Sequence, residues 1–394
     1  MAARRLTVPL RWQVMLFMII RLAVNINTRM VYPFLAVFAR GLGVDITTIS
    51  FALTARSLTG VASPLLGPIG DRYGRKVSML LGMATFGIAM ALVIIWPTYP
   101  VFFLSVVVGF LGMYIYLPAV QAYLGDAIAY HERGQAMAIT ELGWSLSFIL
   151  GIPLVGFLIS RYGWQAPFPM LACAGLLAVG VIAWLIPPIQ STAQTGGASA
   201  LRNIRSALTQ PSVLAAMLLS MAFTCANEVV NVMFGVWMED SFGLKVAALG
   251  VAAAVIGFSE LGAESLSVGL VDRLGKERSV AIGLSLNAVA ALGLPWLGRS
   301  LLGAEVGLGL FFLSFEFAIV CSLPLMTEVL PSARATLMGM NLAAFALGRA
   351  VGDLLGPQLY HFGFWTNALV AAALNLVALA ALSRIKLKKA DLGG

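Results

Sequence analysis

The sequence predicts an all-α membrane protein with twelve transmembrane helices in two parallel six-helix pseudo-repeats. Three observations support this fold class. Of the 394 residues, 60% are hydrophobic and 11% are charged, whereas a soluble domain has about 25% charged residues. Apolar stretches of about 20 residues, the length that an α-helix needs to cross a bilayer, recur along the chain. Landmarks of the first half return about 200 residues later in the second half.

The apolar runs lie between charged, proline-rich or glycine-rich breaks and give the helices in order. In lipid the backbone must satisfy its own hydrogen bonds, so such runs are helical. The predicted helices, from the first to the twelfth, are 12–38, 46–69, 76–96, 101–125, 135–160, 164–187, 211–237, 247–270, 279–298, 303–327, 335–357 and 364–383. We therefore expect an N-terminal six-helix bundle at 1–187, a polar cytoplasmic linker at 188–210 and a C-terminal bundle at 211–394.

The basic residues predict how the chain is oriented. Of the 25 Lys and Arg residues, 17 fall in segments on the N-terminal side, four in the opposite segments and four within helices. The positive-inside rule then places both termini in the cytoplasm. The net charge of +8 reflects this topology and not a nucleic-acid surface, because the basic residues lie in short segments between apolar runs.

The composition predicts neither a cofactor nor a metal site. The three cysteines lie inside apolar runs, and the two histidines lie near opposite membrane faces. A membrane-embedded enzyme is disfavoured because no Ser/His/Asp or HExxH spacing is present, and an ATP-driven pump because Gly269 to Lys276 misses the Walker spacing by one residue. The expected partners are a small-molecule substrate, protons and membrane lipids, with no nucleic acid, and the expected state is a monomer.

A short polar motif occurs twice at an offset of 201 residues. Asp71 to Lys76 reads DRYGRK and aligns with Asp272 to Glu277, which reads DRLGKE. Arg133 and Arg334 keep the same offset. The repeat is therefore parallel and covers six helices in each half.

The segment Gly67 to Lys76, GPIGDRYGRK, resembles the signature between the second and third helices of the major facilitator superfamily. Tyr123 to Asp126 and His131 to Gly134 resemble its segment between the fourth and fifth helices, and Gly151 to Gly156 loosely resembles its helix 5 antiporter signature. Ser105 stands where many antiporters of the family carry an arginine. The resemblance covers nearly the whole chain and implies the major facilitator fold, with a transport site between the halves near the bilayer midplane.

The same resemblance assigns one group of residues to conformational switching. Asp71 would dock near the N-terminus of the eleventh helix, where the helix dipole favours an anion, and hold the cytoplasmic side closed. Neutralising Asp71 or Asp126 would then shift the balance between inward-facing and outward-facing states. The group is Gly67, Asp71, Arg72, Gly74, Arg75, Asp126 and Arg133.

Ten charged residues lie within the predicted helices at least four residues from either end, where a charge costs about 2.5 to 3.5 kcal/mol and usually marks function. The third, sixth, ninth and twelfth helices carry none, so we expect them to face lipid. The resemblance implies the same arrangement, with the first, fourth, seventh and tenth helices lining the cavity. The ten are Arg21, Arg29, Arg56, Glu141, Glu228, Glu260, Glu264, Glu316, Arg349 and Asp353.

A polar stripe on the first helix predicts a cavity wall. Arg21, Asn25, Thr28, Arg29 and Tyr32 recur at the spacing of one helix face. An arginine offers a planar fork of donors, so Arg21 or Arg29 would bind a carboxylate or phosphate of a substrate. Alternatively, each arginine pairs with a glutamate inside the membrane.

Aromatic side chains on the fourth and tenth helices are candidates to line the same cavity. They include Tyr114 and Tyr116 on the fourth helix, and Phe312 and Phe315 on the tenth. Such residues suit an amphiphilic substrate, but they equally suit helix packing.

The seventh helix carries a matching stripe with Glu228 and Asn231. Burial disfavours the ionised form of a carboxyl group, whereas a nearby arginine favours that form. A reversible proton carrier needs these two effects to be balanced. Glu228 and Glu316 are therefore predicted proton sites. The alternative is that each glutamate is permanently hydrogen-bonded and holds helices together.

The other charges within helices predict an interface or gate. Glu141 on the fifth helix and the pair Glu260 and Glu264 on the eighth belong to it by resemblance, since these helices pack across the halves of the family fold. Arg349 and Asp353 are four residues apart on the eleventh helix, which predicts a structural pair. Arg56 on the second helix is a further partner for Asp353.

The eleventh helix also carries glycines at every fourth position, Gly348, Gly352 and Gly356, which predict a close approach of another helix.

These patterns favour a proton-coupled transporter that exports small amphiphilic or anionic compounds. A proton symporter for a small anionic nutrient and a carrier of lipid-like substrates remain alternatives, and a receptor is a further one. The expected location is the cytoplasmic membrane of a prokaryote.

Overall fold

The computed structural model describes residues 9–62, 74–187, 205–330 and 333–385. Within these ranges the chain forms fifteen α-helices. They are α1 (Leu10–Arg29), α2 (Leu35–Leu42), α3 (Ile46–Thr59), α4 (Arg75–Ile95), α5 (Tyr99–Ala127), α6 (Tyr130–Leu146), α7 (Ile152–Tyr162), α8 (Pro167–Leu185), α9 (Pro211–Asn231), α10 (Phe234–Phe242), α11 (Val246–Leu274), α12 (Lys276–Leu297), α13 (Leu301–Val329), α14 (Arg334–Tyr360) and α15 (Phe364–Leu382). A 3₁₀ turn at Gly60–Ala62 follows α3, and a π-helical segment at Ser147–Gly151 joins α6 to α7.

Each of the twelve predicted helices has a helical counterpart, and three of them are built from two pieces: α1 with α2, α6 with α7, and α9 with α10. In the described part of the chain, nine segments are long and apolar enough to cross a membrane. The pair α2 and α3 would add a tenth span if taken together, although their axes meet at 111°. We count α2 with α1 instead, because the matching pieces α9 and α10 form one span at Pro211–Phe242.

The parallel repeat is visible in the backbone. Three pairs of glycines take up the left-handed region at equivalent turns: Gly43 and Gly243 with φ 67° and 61°, Gly74 and Gly275 with 89° and 83°, and Gly163 and Gly363 with 88° and 98°. A side chain is strained in that region. Gly74 and Gly275 directly precede α4 and α12, so both helices begin after a glycine with positive φ.

The chain divides into two compact units. One consists of Met1–Asp45, Leu65–Thr195 and Lys245–Gly257, and the other of Ile46–Pro64, Gly196–Leu244 and Phe258–Gly394. Thus α3 belongs with the helices of the second half, where it packs against α14. The start of α11 belongs with the first half, and Gly250 there lies against Gly156 of α7. The boundaries predicted at residues 187 and 211 stay a prediction.

In the second unit, the helices that were expected to face lipid turn their polar groups inward. Asn287 of α12 donates to the Phe311 carbonyl at 2.7 Å, and Asn375 of α15 donates to Asn287 at 2.7 Å. Both asparagines are about 1% exposed, whereas Val289 on the outer face of α12 is 68% exposed. Hydrogen-bonded amides inside and aliphatic side chains outside are what a lipid-facing helix requires.

Candidate functional site

In the first unit, α1 carries the polar stripe predicted from the sequence, and the stripe is buried. Asn25 is 1% exposed, Arg29 is 2% exposed and Tyr32 is 5% exposed. The helix is broken after Arg29, and α2 resumes at Leu35, so Tyr32 lies in the non-helical turn between them. The non-helical turn therefore lies next to the buried polar side chains at the end of α1.

Arg21 pairs with Glu141 of α6. Its Nη2 atom donates to the carboxylate Oε2. The arginine side chain is 12% exposed, whereas the glutamate side chain is 44% exposed, so the pair lies at the edge of the buried stripe. This is the intramembrane pairing that the sequence offered as the alternative to substrate binding by Arg21.

The guanidinium of Arg29 lies over two aromatic rings of the same neighbouring segment. Its guanidinium carbon lies 3.6 Å from the ring centre of Trp144 and 4.3 Å from that of Phe148. Phe148 belongs to the π-helical segment, a local widening of a helix that often occurs at functional sites. Both rings therefore face α1 at the level of Arg29.

Sequence reasoning missed Trp144 and Phe148, although a signal for them exists. Glu141, Trp144 and Phe148 follow a helical spacing of three and four residues, so they share one face. The first and fifth predicted helices run in the same direction, because each is odd-numbered. Two helices that run in the same direction bring residues together in the same order. Arg21 can therefore lie beside Glu141, and Arg29, further along its helix, beside Trp144.

Several buried polar atoms beside this stripe lack a hydrogen-bond partner among the described residues. They are the Arg21 Nε, the Asn25 Nδ2, the Asn27 Oδ1 and the hydroxyl of Tyr116. Tyr116 of α5 is fully buried and interacts electrostatically with Arg21. A buried polar atom without a partner is costly, so such atoms indicate where a ligand or water binds.

Tyr114, the other tyrosine predicted on this helix, is half-buried and packs edge-on against Phe110 at 4.9 Å.

In the second unit, Glu228, Asp353 and Arg56 form a cluster from α9, α14 and α3. All three are buried, with exposures of 2%, 0% and 2%. The carboxyl groups of Glu228 and Asp353 lie within hydrogen-bonding reach of each other, and Arg56 interacts electrostatically with Asp353. Ser57 Oγ donates to Asp353 Oδ2 at 2.7 Å, and Asn231 Nδ2 donates to Glu228 Oε1 at 3.4 Å.

The structural pair expected between Arg349 and Asp353 is not the interaction that Asp353 makes. Its described side-chain contacts are with Ser57, Glu228 and Arg56. Arg349 is only half-buried, one turn away on the same helix. Four-residue spacing places two side chains on one face, but Asp353 turns into the contact with α3 and α9, and Arg349 does not enter the buried cluster.

The glycines of α14 permit the close approach that forms this cluster. A Cβ atom at Gly352 would meet the side chain of Glu228 and lie 3.1 Å from the Cys225 carbonyl oxygen. A Cβ atom at Gly348 would meet Thr224, and one at Gly356 would meet Val232. The glycine stripe therefore lets α9 lie directly against α14.

The remaining acidic residues predicted in the second unit lie in helical segments and are buried or half-buried. Glu316 of α13 is 9% exposed and Glu260 of α11 is 5% exposed, whereas Glu264 is half-buried. Phe312 and Phe315 of α13 pack against Phe234 and Phe223, at ring distances of 6.2 Å and 5.8 Å. This favours the packing interpretation for these two rings.

Part of the predicted switch group is visible. Arg75 Nε lies 3.4 Å from Asp126 Oδ2, and Arg133 Nε donates to the Ile128 carbonyl at 2.9 Å. Gly67, Asp71 and Arg72 lie outside the described residues. In the second unit, Lys276 pairs with Glu328 at the positions that match Arg75 and Asp126 in the repeat. Glu328 was not predicted, although its offset of 202 from Asp126 was a signal for it.

No group of three His, Cys, Asp or Glu side chains in the described residues is placed to hold a metal ion.

The sequence model of the family "Major Facilitator Superfamily" matches residues 17–352, which is most of the chain. The protein belongs to the major facilitator superfamily. The membership predicted from the sequence is thereby confirmed, as is the predicted all-α membrane fold. Members of this superfamily are transporters, so the protein is a multi-pass membrane transporter and not an enzyme.

Individual relatives cover most of the chain at low identity. An uncharacterized MFS-type transporter of Bacillus subtilis, YceJ, is 27% identical over 311 residues, which are 77% of this chain and 78% of the relative. The chloramphenicol resistance protein of Streptomyces lividans is 26% identical over 351 residues, or 86% of this chain and 88% of the relative. The crystal structure of a D-xylose-proton symporter superposes with a TM-score of 0.76 at 16% identity, covering 94% of this chain and 97% of that chain. This superfamily member therefore shares its fold with a sugar transporter.

Proposed function

We propose that the protein is a proton-coupled secondary transporter that exports small amphiphilic or anionic compounds by alternating access. One observation carries this proposal: α1 holds the buried Arg29 and the partly buried Arg21 together with buried polar atoms that have no described partner. A transporter has reason to keep such costly groups within its helices, because a substrate that binds there supplies the missing partners.

The chemistry around Arg29 fits a substrate with both an apolar and an anionic part. Trp144 and Phe148 hold the guanidinium by cation–π attraction, and a guanidinium binds carboxylates and phosphates through the N–H groups at its edge. The rings themselves offer apolar contact area. The name of the chloramphenicol resistance protein supports a small amphiphilic substrate for this chain as well.

Proton coupling is supported by the carboxyl groups buried in the second unit. Glu228 and Glu316 are the coupling sites that the sequence favours, and both are at most 9% exposed. A buried carboxyl group can exist in a protonated neutral form or in an ionised form paired with an arginine. Such a group gains and loses a proton as its surroundings change, which is what coupling to a proton gradient requires.

The ion pairs at the helix ends support alternating access. Arg75 with Asp126 and Lys276 with Glu328 join the start of one helix to the end of the next in each unit. All are partly exposed, so each pair contributes at most about 1 kcal/mol. Weak pairs of this kind can break and form again during a transport cycle. We place the protein as a monomer in a cytoplasmic membrane, surrounded by lipid and with both termini in the cytoplasm.

Transport in proteoliposomes tests this proposal. The purified protein is reconstituted, a pH gradient is imposed, and the movement of chloramphenicol and of carboxyfluorescein is followed. Export by proton antiport predicts substrate movement opposite to the proton flow, and a loss of gradient-driven flux in Glu228→Gln with substrate exchange retained. Movement in the same direction as the protons would establish the symporter instead, and flux that ignores the pH gradient would contradict proton coupling.

The substrate site has its own comparison. Arg29→Lys keeps the charge but removes the planar group that stacks and binds in bidentate fashion. We expect the half-saturating concentration of the anionic probe to rise about tenfold, corresponding to about 1.4 kcal/mol. An unchanged value for both probes would show that Arg29 does not contact the substrate.

A further inference from the structure

The buried cluster of Glu228, Asp353 and Arg56 has an unbalanced charge. If both carboxyl groups were ionised, two negative charges would face one positive charge, for a net charge of −1 in a site that is at most 2% exposed. An uncompensated charge in such a place costs several kcal/mol. One bound proton makes the cluster neutral.

Other ionisable groups on the neighbouring helices do not supply the missing positive charge. In the described part of α3, Arg56 is the one charged residue, and α15 carries none. On α14, Arg349 is half-buried and does not take part in the contacts of Asp353. The thiol of Cys225 on α9 and the carboxyl group of Glu316 on α13 add no positive charge.

The contacts of Asp353 favour a proton between its carboxyl group and that of Glu228. Ser57 donates to Asp353 Oδ2, while Asp353 Oδ1 is buried and has no donor among the described residues. The carboxyl group of Glu228 lies within hydrogen-bonding reach of Asp353. Two ionised carboxylates are both acceptors and cannot bond to each other. A proton between them converts a repulsive contact into a hydrogen bond.

We propose that Glu228 and Asp353 form one proton-binding site in which they share a single proton, with Arg56 as the fixed positive charge. The three residues come from α9, α14 and α3, so release of the proton changes the forces between three helices at once. Release leaves two carboxylates around one guanidinium, and uptake restores neutrality. This inference rests on proton coupling in the proposed function and deepens it, because it names Asp353 and Arg56 as parts of the coupling site.

Counting protons on the carboxyl groups tests the inference. The purified protein is titrated from acid to base without substrate, and infrared difference spectra follow the C=O stretch of protonated carboxyl groups. For a shared proton we expect one and the same band to vanish in Glu228→Gln and in Asp353→Asn, because either neutral amide leaves one carboxylate balanced by Arg56. Loss of the band in only one of these variants would overturn the sharing.

Variants of Arg56 provide a second readout. Arg56→Gln removes the positive charge, so we expect the band to double as both carboxyl groups hold a proton. Arg56→Lys keeps the charge, and a single proton should remain. If Arg56→Gln leaves the band unchanged, Arg56 is not the counter-charge and the inference fails. This comparison decides even if Glu228→Gln or Asp353→Asn does not fold.

Glu305→Gln is the matched control, since Glu305 is a half-buried acid in the first turns of α13, outside the cluster, and its replacement should leave the band in place. The titration needs no transport. If the shared band is missing but the pH gradient still drives flux, the result contradicts this inference alone. A shared band with flux that ignores the pH gradient would contradict the proposed function alone.

Discussion

Arg29 illustrates at the residue scale how a permanent charge is kept inside a helical membrane protein. Its guanidinium lies 3.6 Å from the ring centre of Trp144 and is 2% exposed. A desolvated cation over an aromatic ring gains about 2 kcal/mol, and tryptophan has the most favourable ring for this contact. The ring thus offsets part of the cost of burying the charge while leaving the polarity of the guanidinium edge intact.

A double-mutant cycle measures this contact. Trp144→Leu in the wild-type protein should lower the free energy of unfolding by about 2 kcal/mol more than the same change in an Arg29→Met background. Denaturant unfolding in detergent micelles provides the values. Trp144→Phe retains a ring face and serves as the control, with a smaller loss. Equal costs of Trp144→Leu in the two backgrounds would mean that the ring and the cation do not stabilise each other.

At the element scale, the contact between α9 and α14 depends on glycine. The side chain of Glu228 occupies the space that a Cβ atom of Gly352 would take, and the carbonyl oxygen of Cys225 lies 3.1 Å from that position. The two helices can therefore approach until the carboxyl groups of Glu228 and Asp353 meet. A small-residue stripe and a buried acidic pair are two aspects of one interface.

Replacing Gly352 tests this dependence. Gly352→Ala should lower the free energy of unfolding by about 1 to 3 kcal/mol, because the added methyl group collides with backbone and with Glu228. Gly180→Ala in α8 is the matched control, since no atom lies within 4 Å of its Cβ position. There the gain in helix propensity should leave the stability unchanged or raise it by about 0.4 to 1 kcal/mol. Thermal unfolding of the purified variants measures both changes in stability. A Gly352→Ala protein as stable as the wild type would argue against a tight contact between α9 and α14.

At the scale of the whole molecule, the compact units do not follow the order of the chain. The helix α3 packs within the unit formed mainly by the second half, where Ser57 donates to Asp353. Its sequence neighbours on both sides belong to the other unit. The first half of the chain thus lacks the helices that bury Arg56.

Separated fragments should show this interdependence. A fragment of residues 1–187 expressed alone leaves Arg56 and Ser57 without α14, so we expect protease cleavage within residues 46–62. Coexpression with a fragment of residues 205–394 should protect that segment, and cleavage sites in α4 should be unaffected. Limited proteolysis of membranes followed by mass spectrometry checks the result. Equal protection of residues 46–62 in the isolated fragment would show that α3 folds without α14.

The class of fold, the positions of the helices and the parallel repeat could be predicted from the amino-acid sequence. The reason is local: a bilayer forces an apolar run to be helical, and a left-handed turn such as Gly74 or Gly275 requires glycine wherever it recurs. Burial of six of the ten charged residues followed from the same source, because charged residues on apolar helices have to be turned away from lipid. The stripe on α1 was readable from spacing alone.

Most contacts of the buried charges could not be predicted from spacing along the chain. The spacing along α14 predicted Arg349 as a partner of Asp353. In the structure, Asp353 instead contacts Ser57, which is 296 residues away in the sequence. It also contacts Glu228, which lies on a third helix. The spacing of Trp144 and Phe148 indicates that they share a helix face, but it does not say which helix that face meets, and the packing of α1 against α6 decided that they contact Arg29. A hydrogen bond or an ion pair requires atoms at contact distance, and that distance is set by which helices approach each other and how closely their glycines let them lie.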